Sequence, residues 1–181
     1  MRTLWRRLDI PGFDSCSIVR DGSDWRLSGV AEFGEGTQRA NLAYQVTCNA
    51  LWESTAGYVE GWSGNDRIQI TAQRSENGTW NCSAAAEGFE SEAPDIDLGF
   101  TPATNLNAIR RLGLKVGESA EIVSLWLDSE DWLFKALPQK YVRISEDRYQ
   151  YRSHLHAFEC ELEVSGAGIV RDYPGLWRAI D

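Results

Sequence analysis

Alternation of apolar and polar residues is the strongest pattern along this chain. The apolar residues of one such run are Trp25, Leu27, Ala31 and Phe33. Because successive side chains of a strand point to opposite faces, this period predicts a strand with one buried face. The same period recurs in residues 42–48, 68–72 and 158–164. We therefore predict antiparallel strands with one face toward a core and the other toward water.

Turn-forming residues separate the apolar runs at short intervals. They are Asp21-Gly22, Gly34 to Gly36, Ser63 to Asp66, Asn77-Gly78, Ser145 to Asp147 and Gly166 to Gly168. These residue types adopt the backbone angles of tight turns, so their spacing predicts a succession of β-hairpins. The run from Glu121 to Leu127 is apolar at nearly every position, which predicts a strand covered on both faces.

One segment has helical spacing instead. Thr101 and Pro102 form a typical helix start, because a hydroxyl can cap a free amide and proline suits the first helical position. Apolar residues follow at helical spacing, and Gly113 is a typical C-terminal stop. So short a helix is only marginally stable by itself and must pack against the sheet. We predict an all-β, mainly antiparallel chain with a single central α-helix near residues 102–112.

The charged residues of this helix need partners if a sheet surrounds it. Arg110 and Arg111 lie near its C-terminal end, and Asp95 and Asp97 lie a short way upstream. Buried arginines are normally paired, so we expect ion pairs between the two groups. A ligand site built on the same arginines is the alternative that the sequence leaves open.

Composition and charge limit the classes of function. The chain has 181 residues, of which 43% are hydrophobic, and eight are Trp. This is enough to form a core, and we predict a single domain over residues 1–181. The formal net charge of −9 argues against a nucleic-acid partner. No segment has the apolar length of a signal peptide or a membrane span, so we expect a cytoplasmic protein with no membrane span.

Several motifs resemble a bacterial family described as putative glycolipid-binding proteins. They are Trp5-Arg-Arg-Leu-Asp9 with Pro11-Gly12, Asp95-Ile-Asp97, Thr101-Pro-Ala-Thr-Asn105, Ile109-Arg-Arg-Leu112, Gln139 with Tyr141, and Asp172-Tyr-Pro174 with Trp177. The resemblance spans the whole chain and implies a spiral β-roll, in which a curved antiparallel sheet wraps around one helix. Residues 106–108 are Leu-Asn-Ala where the family has Thr-Leu-Pro, so we expect a more regular helix here.

The resemblance also implies binding of a glycolipid or another amphipathic small molecule, by analogy of fold with periplasmic carriers of lipoproteins. In this hypothesis, the curved sheet encloses the apolar tail, whose burial stabilises the complex. The side chains that would orient the polar head are Asn105, Arg110, Arg111 and Tyr141.

Aromatic residues are candidates for the wall of such a cavity, because ligand sites are commonly apolar with a few polar groups. These aromatic residues are Trp52, Tyr58, Trp62, Trp80, Trp126 and Trp132. We take Trp62 and Trp126, together with Asp97, as further candidate ligand contacts. Packing in the core is the alternative for any single tryptophan.

A small metal-dependent enzyme is an alternative function. His154 and His156 share one face of a predicted strand, and Glu161 follows at the spacing of part of a cupin metal motif. The chain has only two histidines, and strand parity turns Glu161 away from His156. We therefore predict no metal, no cofactor and no catalytic residue.

A structural or protein-partner module without a cavity is the third alternative, and the sequence does not indicate an oligomeric state.

Overall fold

The computed structural model describes residues 1–153, 155 and 157–180, which form a curved sheet of 14 strands and one α-helix. The strands are β1 (Arg2–Arg7), β2 (Gly12–Asp21), β3 (Asp24–Phe33), β4 (Ala40–Cys48), β5 (Ser54–Ser63), β6 (Asp66–Arg74), β7 (Trp80–Cys82), β8 (Ile96–Leu98), β9 (Ser119–Leu127), β10 (Phe134–Arg143), β11 (Arg148–Ser153), β12 (Phe158–Val164), β13 (Val170–Tyr173) and β14 (Trp177–Ala179). The helix, α1, spans Asn105–Leu112, and a short 3₁₀ turn covers Gly36–Gln38. None of the described helices is long and apolar enough to cross a membrane.

Two antiparallel meanders make up the sheet. The strand order is β7-β6-β5-β4-β3-β2-β1-β14-β13-β12-β11-β10-β9-β8. The first and last strands of the chain join the meanders, because β1 pairs with β14 and Trp5 lies opposite Ala179. Only β8 and β9 pair in parallel among the named strands. The predicted mainly antiparallel curved sheet with one helix is confirmed.

The two edge strands, β7 and β8, are linked through the irregular segment between them. The Ser54 amide at the start of β5 donates to the Pro94 carbonyl (2.8 Å), and the Ser54 hydroxyl accepts from the Ile96 amide (3.0 Å). The Trp80 indole donates to the Ala93 carbonyl (2.8 Å). Among the described residues the sheet curls toward itself, but β7 and β8 do not pair, so it is not a closed barrel.

Helix α1 lies against the concave face of the sheet. Leu106 packs in a large apolar cluster that includes side chains of β1 to β9, whereas Ala108 and Ile109 pack in a second cluster with side chains of β10 to β13. The turn between β12 and β13 approaches the helix so closely at Gly168 that a Cβ there would lie 3.2 Å from Leu106 and from Ile109. The helix therefore supplies the contact between the two halves of the concave face.

The helix begins three residues later than the sequence predicts. Residues 102–104 form a turn before the helix, and the hydroxyls of Thr101 and Thr104 both bond with residues outside the helix. The Thr101 hydroxyl accepts from the Ala103 amide (3.0 Å) and donates to the Asp14 carboxylate, while the Thr104 hydroxyl accepts from the Leu98 amide (3.0 Å). The predicted C-terminal stop is confirmed, since Gly113 has a left-handed φ of 54° and its amide donates to the Ile109 carbonyl.

Strand β9 is not covered on both faces over its whole length, contrary to the prediction. Val123 is 44% exposed, and Glu121 is exposed as well. Neighbouring side chains of β9 point to opposite faces. Only at Ser124 and Leu125 are two consecutive side chains both buried. There β8 pairs alongside and the helix segment lies on the inner face, whereas the outer face of the first half of β9 remains in solvent.

A buried carboxylate connects strand β2 with the turn before the helix. Asp14 is fully buried, and it accepts hydrogen bonds from the hydroxyls of Tyr44 (3.0 Å) and Thr101. Burial raises the pKa of Asp14 from 3.8 to about 7, although both hydrogen bonds oppose the shift. The folded state therefore keeps this proton at pH values where the unfolded chain has released it.

Stability is expected to fall as the pH rises from about 4 to about 7, because the unfolded chain releases the Asp14 proton over this range while the folded state retains it. At about 1.4 kcal/mol per pKa unit, the loss amounts to a few kcal/mol. The variant Asp14→Asn cannot ionise and should lose less stability over this range, as measured by urea unfolding at several pH values. Exposed Asp66→Asn serves as the control. Equal pH dependence in Asp14→Asn and the wild type would contradict the assignment.

Gly29 leaves room for the ring that reaches Asp14. It lies opposite Tyr44 in the β3–β4 pair, and a Cβ at position 29 would lie 2.3 Å from the end of the Tyr44 ring. We expect Gly29→Ala to reduce the free energy of unfolding by about 1–3 kcal/mol, which is the usual cost of overpacking. Chemical denaturation measures the effect. Gly166→Ala, which meets open space, should change it little. Similar stability in both variants would exclude the close packing.

Candidate functional site

A half-open cavity lies between the N-terminal end of α1 and the concave face of β9 to β14. Its volume is about 200 Å³. Five of its side chains are aromatic, two are leucines, and four carry a polar side chain. The residues that line it are Asp97, Gly99, Thr101, Asn105, Trp126, Leu137, Tyr151, Ser153, Phe158, Tyr173, Leu176 and Trp177. The arrangement combines apolar rings with a few polar groups, as small-molecule sites do.

Strand alternation brings the aromatic rings to this cavity. Tyr151 and Ser153 lie two residues apart on β11, so both point to the concave face. The Tyr151 ring meets the Tyr173 ring edge to face, with centroids 5.9 Å apart, and the Phe158 and Tyr173 centroids are 5.8 Å apart. These ring contacts fix one wall of the cavity, because each ring restricts the rotation of the next.

Asp97, on β8, presents a carboxylate to the cavity. The Gln139 side-chain amide donates to it (2.6 Å) and also to the Tyr151 hydroxyl (2.9 Å), while the amide oxygen of Gln139 accepts from Ser124 (2.8 Å). The Thr104 hydroxyl makes a longer contact with Asp97 (3.4 Å). Burial raises the pKa of Asp97 to about 6, against the effect of these hydrogen bonds. The carboxylate is therefore held in place by neutral donors.

Ser153 provides a polar atom that has no partner in the described part of the chain. The residue is only 5% exposed, and its Oγ is buried without a hydrogen bond. Buried polar side chains are nearly always hydrogen-bonded, so an unpaired hydroxyl on a cavity wall is suited to contact a ligand. Asn105, at the start of α1, lies on the same cavity and donates to the buried Tyr141 hydroxyl (3.0 Å).

The predicted ion pair forms between Arg111 and Asp95. The Arg111 Nε and Nη2 atoms donate to the two carboxylate oxygens of Asp95 at 2.9 and 2.6 Å. Asp95 is only 1% exposed, and burial raises its pKa while the guanidinium opposes the shift. The same hydrogen bonds raise the pKa of Arg111. The pair fixes the C-terminal end of the helix to the strand that carries Asp97.

Arg110 lies away from the cavity, on the other side of the helix end. Its guanidinium lies over the Trp52 ring, 5.3 Å from the centroid. It lines a separate polar depression of about 130 Å³ together with Arg143 and Glu146. The Arg143 guanidinium donates to three backbone carbonyls there. Thus the two adjacent arginines have different environments, and neither lines the aromatic cavity.

The remaining candidates divide between the cavity and other positions. Trp126 lines the cavity, with its indole packed so closely over Gly99 that a Cβ there would lie 2.6 Å from Nε1. Tyr141 is buried behind the cavity as the acceptor for Asn105. Trp62 is 53% exposed on the outer face of β5, outside the cavity lining.

Sequence reasoning missed several of the lining residues. They are Gly99, Thr101, Leu137, Tyr151, Ser153, Phe158, Tyr173, Leu176 and Trp177. Strand parity places Tyr151 with Ser153, and the Asp172-Tyr-Pro174 motif with Trp177 marks two of the aromatic positions. Neither signal shows that these strands face the same space, because that depends on how the sheet curls.

The metal-site hypothesis falls on residues that the structure does not describe. His154 and His156 lie outside the described residues. Within residues 1–153, 155 and 157–180, no three His, Cys, Asp or Glu side chains are grouped as a metal site requires.

Comparisons with known proteins agree with the fold and identify the family. A family model described as "Putative glycolipid-binding" matches residues 2–179. The chain belongs to this family. A family member of known structure is a DUF1089 family protein from Pseudomonas aeruginosa, solved at 1.80 Å resolution. It is 26% identical and superposes with a TM-score of 0.75 over 91% of each chain. A search of curated proteins found no match.

Breaking the helix ion pair should be costly. Arg111→Met leaves the Asp95 carboxylate buried without its guanidinium, so we expect a loss of roughly 3–5 kcal/mol in the free energy of unfolding. Urea denaturation measures the effect. Arg152→Met is the control, because the Arg152–Glu159 pair is exposed and such pairs contribute about 1 kcal/mol or less. Equal losses in the two variants would exclude a structural role specific to Arg111.

Proposed function

We propose that the protein binds a small amphipathic molecule, such as a glycolipid, with its polar head group in the aromatic cavity. The family description supports a binding function. The observation that carries the proposal is the cavity itself, in which aromatic walls surround the Asp97 carboxylate and the unpaired Ser153 hydroxyl. Aromatic faces stack on the apolar face of a sugar ring, and the polar atoms accept its hydroxyl hydrogens.

The size of the cavity favours the head group over the tail as its occupant. A buried cavity of about 150 Å³ holds one benzene ring, and sites for larger ligands span roughly 300–1,000 Å³. A volume of about 200 Å³ therefore suits one substituted six-membered ring but not a long acyl chain. Helix α1, with Leu106 and the buried Tyr141 beside it, fills much of the space that the tail-inside hypothesis required. We place the tail outside the cavity.

The mouth of the cavity offers apolar contacts for such a tail. Phe158 and Leu176 line the cavity, and both are partly buried. Leu155, in the connection between Ser153 and Phe158, is exposed. A tail that leaves the cavity here would cover these side chains and remove apolar surface from water.

We also propose that the protein binds its ligand without converting it. A serine nucleophile needs an adjacent base to take its proton, whereas Ser153 Oγ has no hydrogen-bond partner among the described residues. Asp97 is held by the neutral side chains of Gln139 and Thr104. This arrangement suits recognition of hydrogen-bond donors.

Native mass spectrometry of protein purified without an affinity tag tests the proposal. We expect a bound species of lipid mass that organic extraction removes and that fragments into a polar head and an apolar chain. Incubation of the extracted protein with short-chain alkyl glycosides should restore a complex. An apo mass from the cell, together with no binding of any amphipathic probe, would contradict the proposed function.

Two tryptophans form a matched pair for locating the site. Trp126→Ala removes a wall of the cavity and should weaken binding of the extracted ligand at least tenfold, because the stacked ring surface is lost. Trp62→Ala removes the same side chain from the exposed outer face and should leave binding unchanged. Isothermal titration calorimetry measures both affinities. A larger effect at Trp62 than at Trp126 would place the ligand on the outer face instead.

A further inference from the structure

We infer that the head group held in the cavity carries a protonated amine, which forms an ion pair with Asp97. This inference rests on the proposed function and specifies the chemical class of its ligand. Three features of the cavity support this inference. They are a carboxylate without a cationic partner, aromatic rings in the same cavity, and a hydroxyl oxygen without a hydrogen bond.

The first feature is the charge balance around Asp97. The nearby guanidinium of Arg111 is occupied by both carboxylate oxygens of Asp95. In the described part of the chain, Asp97 forms no ion pair, and no Lys or Arg lines the cavity. A carboxylate removed from water is costly unless a cation compensates it. A ligand cation would supply this compensation, whereas an anionic head group would add repulsion.

The second feature is the aromatic wall. The rings of Tyr151, Phe158 and Tyr173 line the same small space as Asp97. Trp126 and Trp177 line it too, but Lys135 already lies over the Trp126 ring (5.8 Å) and Arg7 over the Trp177 ring (5.3 Å). Aromatic rings attract cations through the negative potential of their faces, and the attraction is strongest where water is excluded. A neutral sugar ring would use these faces for stacking alone, but an amine-bearing head would use both stacking and charge.

The third feature is the Ser153 hydroxyl. Its Oγ is buried on the cavity wall without a partner among the described residues. A protonated primary amine has three N–H donors, so it can donate to Asp97 and to Ser153 at once. A quaternary ammonium group has no N–H and would leave Ser153 unpaired. The geometry therefore favours a primary amine, such as that of an amino sugar.

The test compares closely related ligands that carry or lack a positive charge. The probes are hexyl glucoside, its 2-amino and 6-amino deoxy analogues, and the N-acetylated forms of those analogues, whose short tails keep them monomeric. We expect at least one amino analogue to bind the wild-type protein at least tenfold more tightly than hexyl glucoside near neutral pH, by calorimetry. Acetylation removes the charge and should abolish this preference. The comparison requires no variant, so it does not depend on any variant's stability.

The outcomes separate this inference from the function on which it rests. If hexyl glucoside and the acetylated analogues bind as tightly as the amines, the cation inference is wrong and the proposed binding of an amphipathic molecule stands. If an anionic probe, hexyl sulfate, binds more tightly than all of them, the charge argument is wrong. If none of the probes binds, both the inference and the proposed function are contradicted.

Substitution of the carboxylate locates the effect. Asp97→Asn keeps the shape of the side chain and removes its charge, so the preference for the amine should fall at least tenfold while binding of hexyl glucoside changes less. Asp66→Asn removes the same charge from an exposed position at the start of β6 and should preserve the preference. An unchanged preference in Asp97→Asn, in a variant whose circular dichroism matches the wild type, would overturn the inference.

Discussion

The ion pair between Arg111 and Asp95 determines how the interior of this protein is arranged. It joins the only α-helix of the described residues to the residue directly before β8, an edge strand, and both carboxylate oxygens take part. A helix of eight residues has little stability of its own, so its position depends on such contacts. The Nε and Nη2 atoms of the guanidinium donate to Asp95, whereas the neighbouring carboxylate of Asp97 accepts from neutral donors and faces the cavity.

The curvature of the sheet makes burial of polar groups unavoidable. Wrapping strands around a short helix places the buried N-terminal end of that helix next to strand side chains, and each polar group there needs a partner. Thr101 pairs with Asp14, Thr104 pairs with the backbone of β8, and Asn105 pairs with Tyr141. Ser153 is the exception on the cavity wall within the described residues. Asn107 Oδ1, on the helix, also has no partner among the described residues, but it does not line the cavity. The proposed binding function uses the unpaired atom that does.

The candidate site was only partly predictable from residue types. Three of the candidates, Asp97, Asn105 and Trp126, line the cavity. Asp97 and Asn105 are close to the helix start in sequence, whereas Trp126 reaches the cavity from β9. Arg110 and Arg111 are adjacent in sequence, yet the helix turns them toward different surroundings. The aromatic residues of β11 to β14 are far from the helix in sequence. Local patterns of residues do not show that these strands come close to it in space.

The sequence alone determined the local structure. Alternation predicted the strands, turn residues predicted the hairpins, and helical spacing with Gly113 predicted the one helix, because each depends on neighbours within a few residues. It did not determine the helix start, because the turn before the helix is also held by tertiary hydrogen bonds, among them that of Thr101 with a carboxylate 87 residues away. Only the tertiary structure decided which faces meet in the cavity and which arginine Asp95 binds. Those choices depend on how the whole sheet curls, because curling brings distant strands to the same side of the helix.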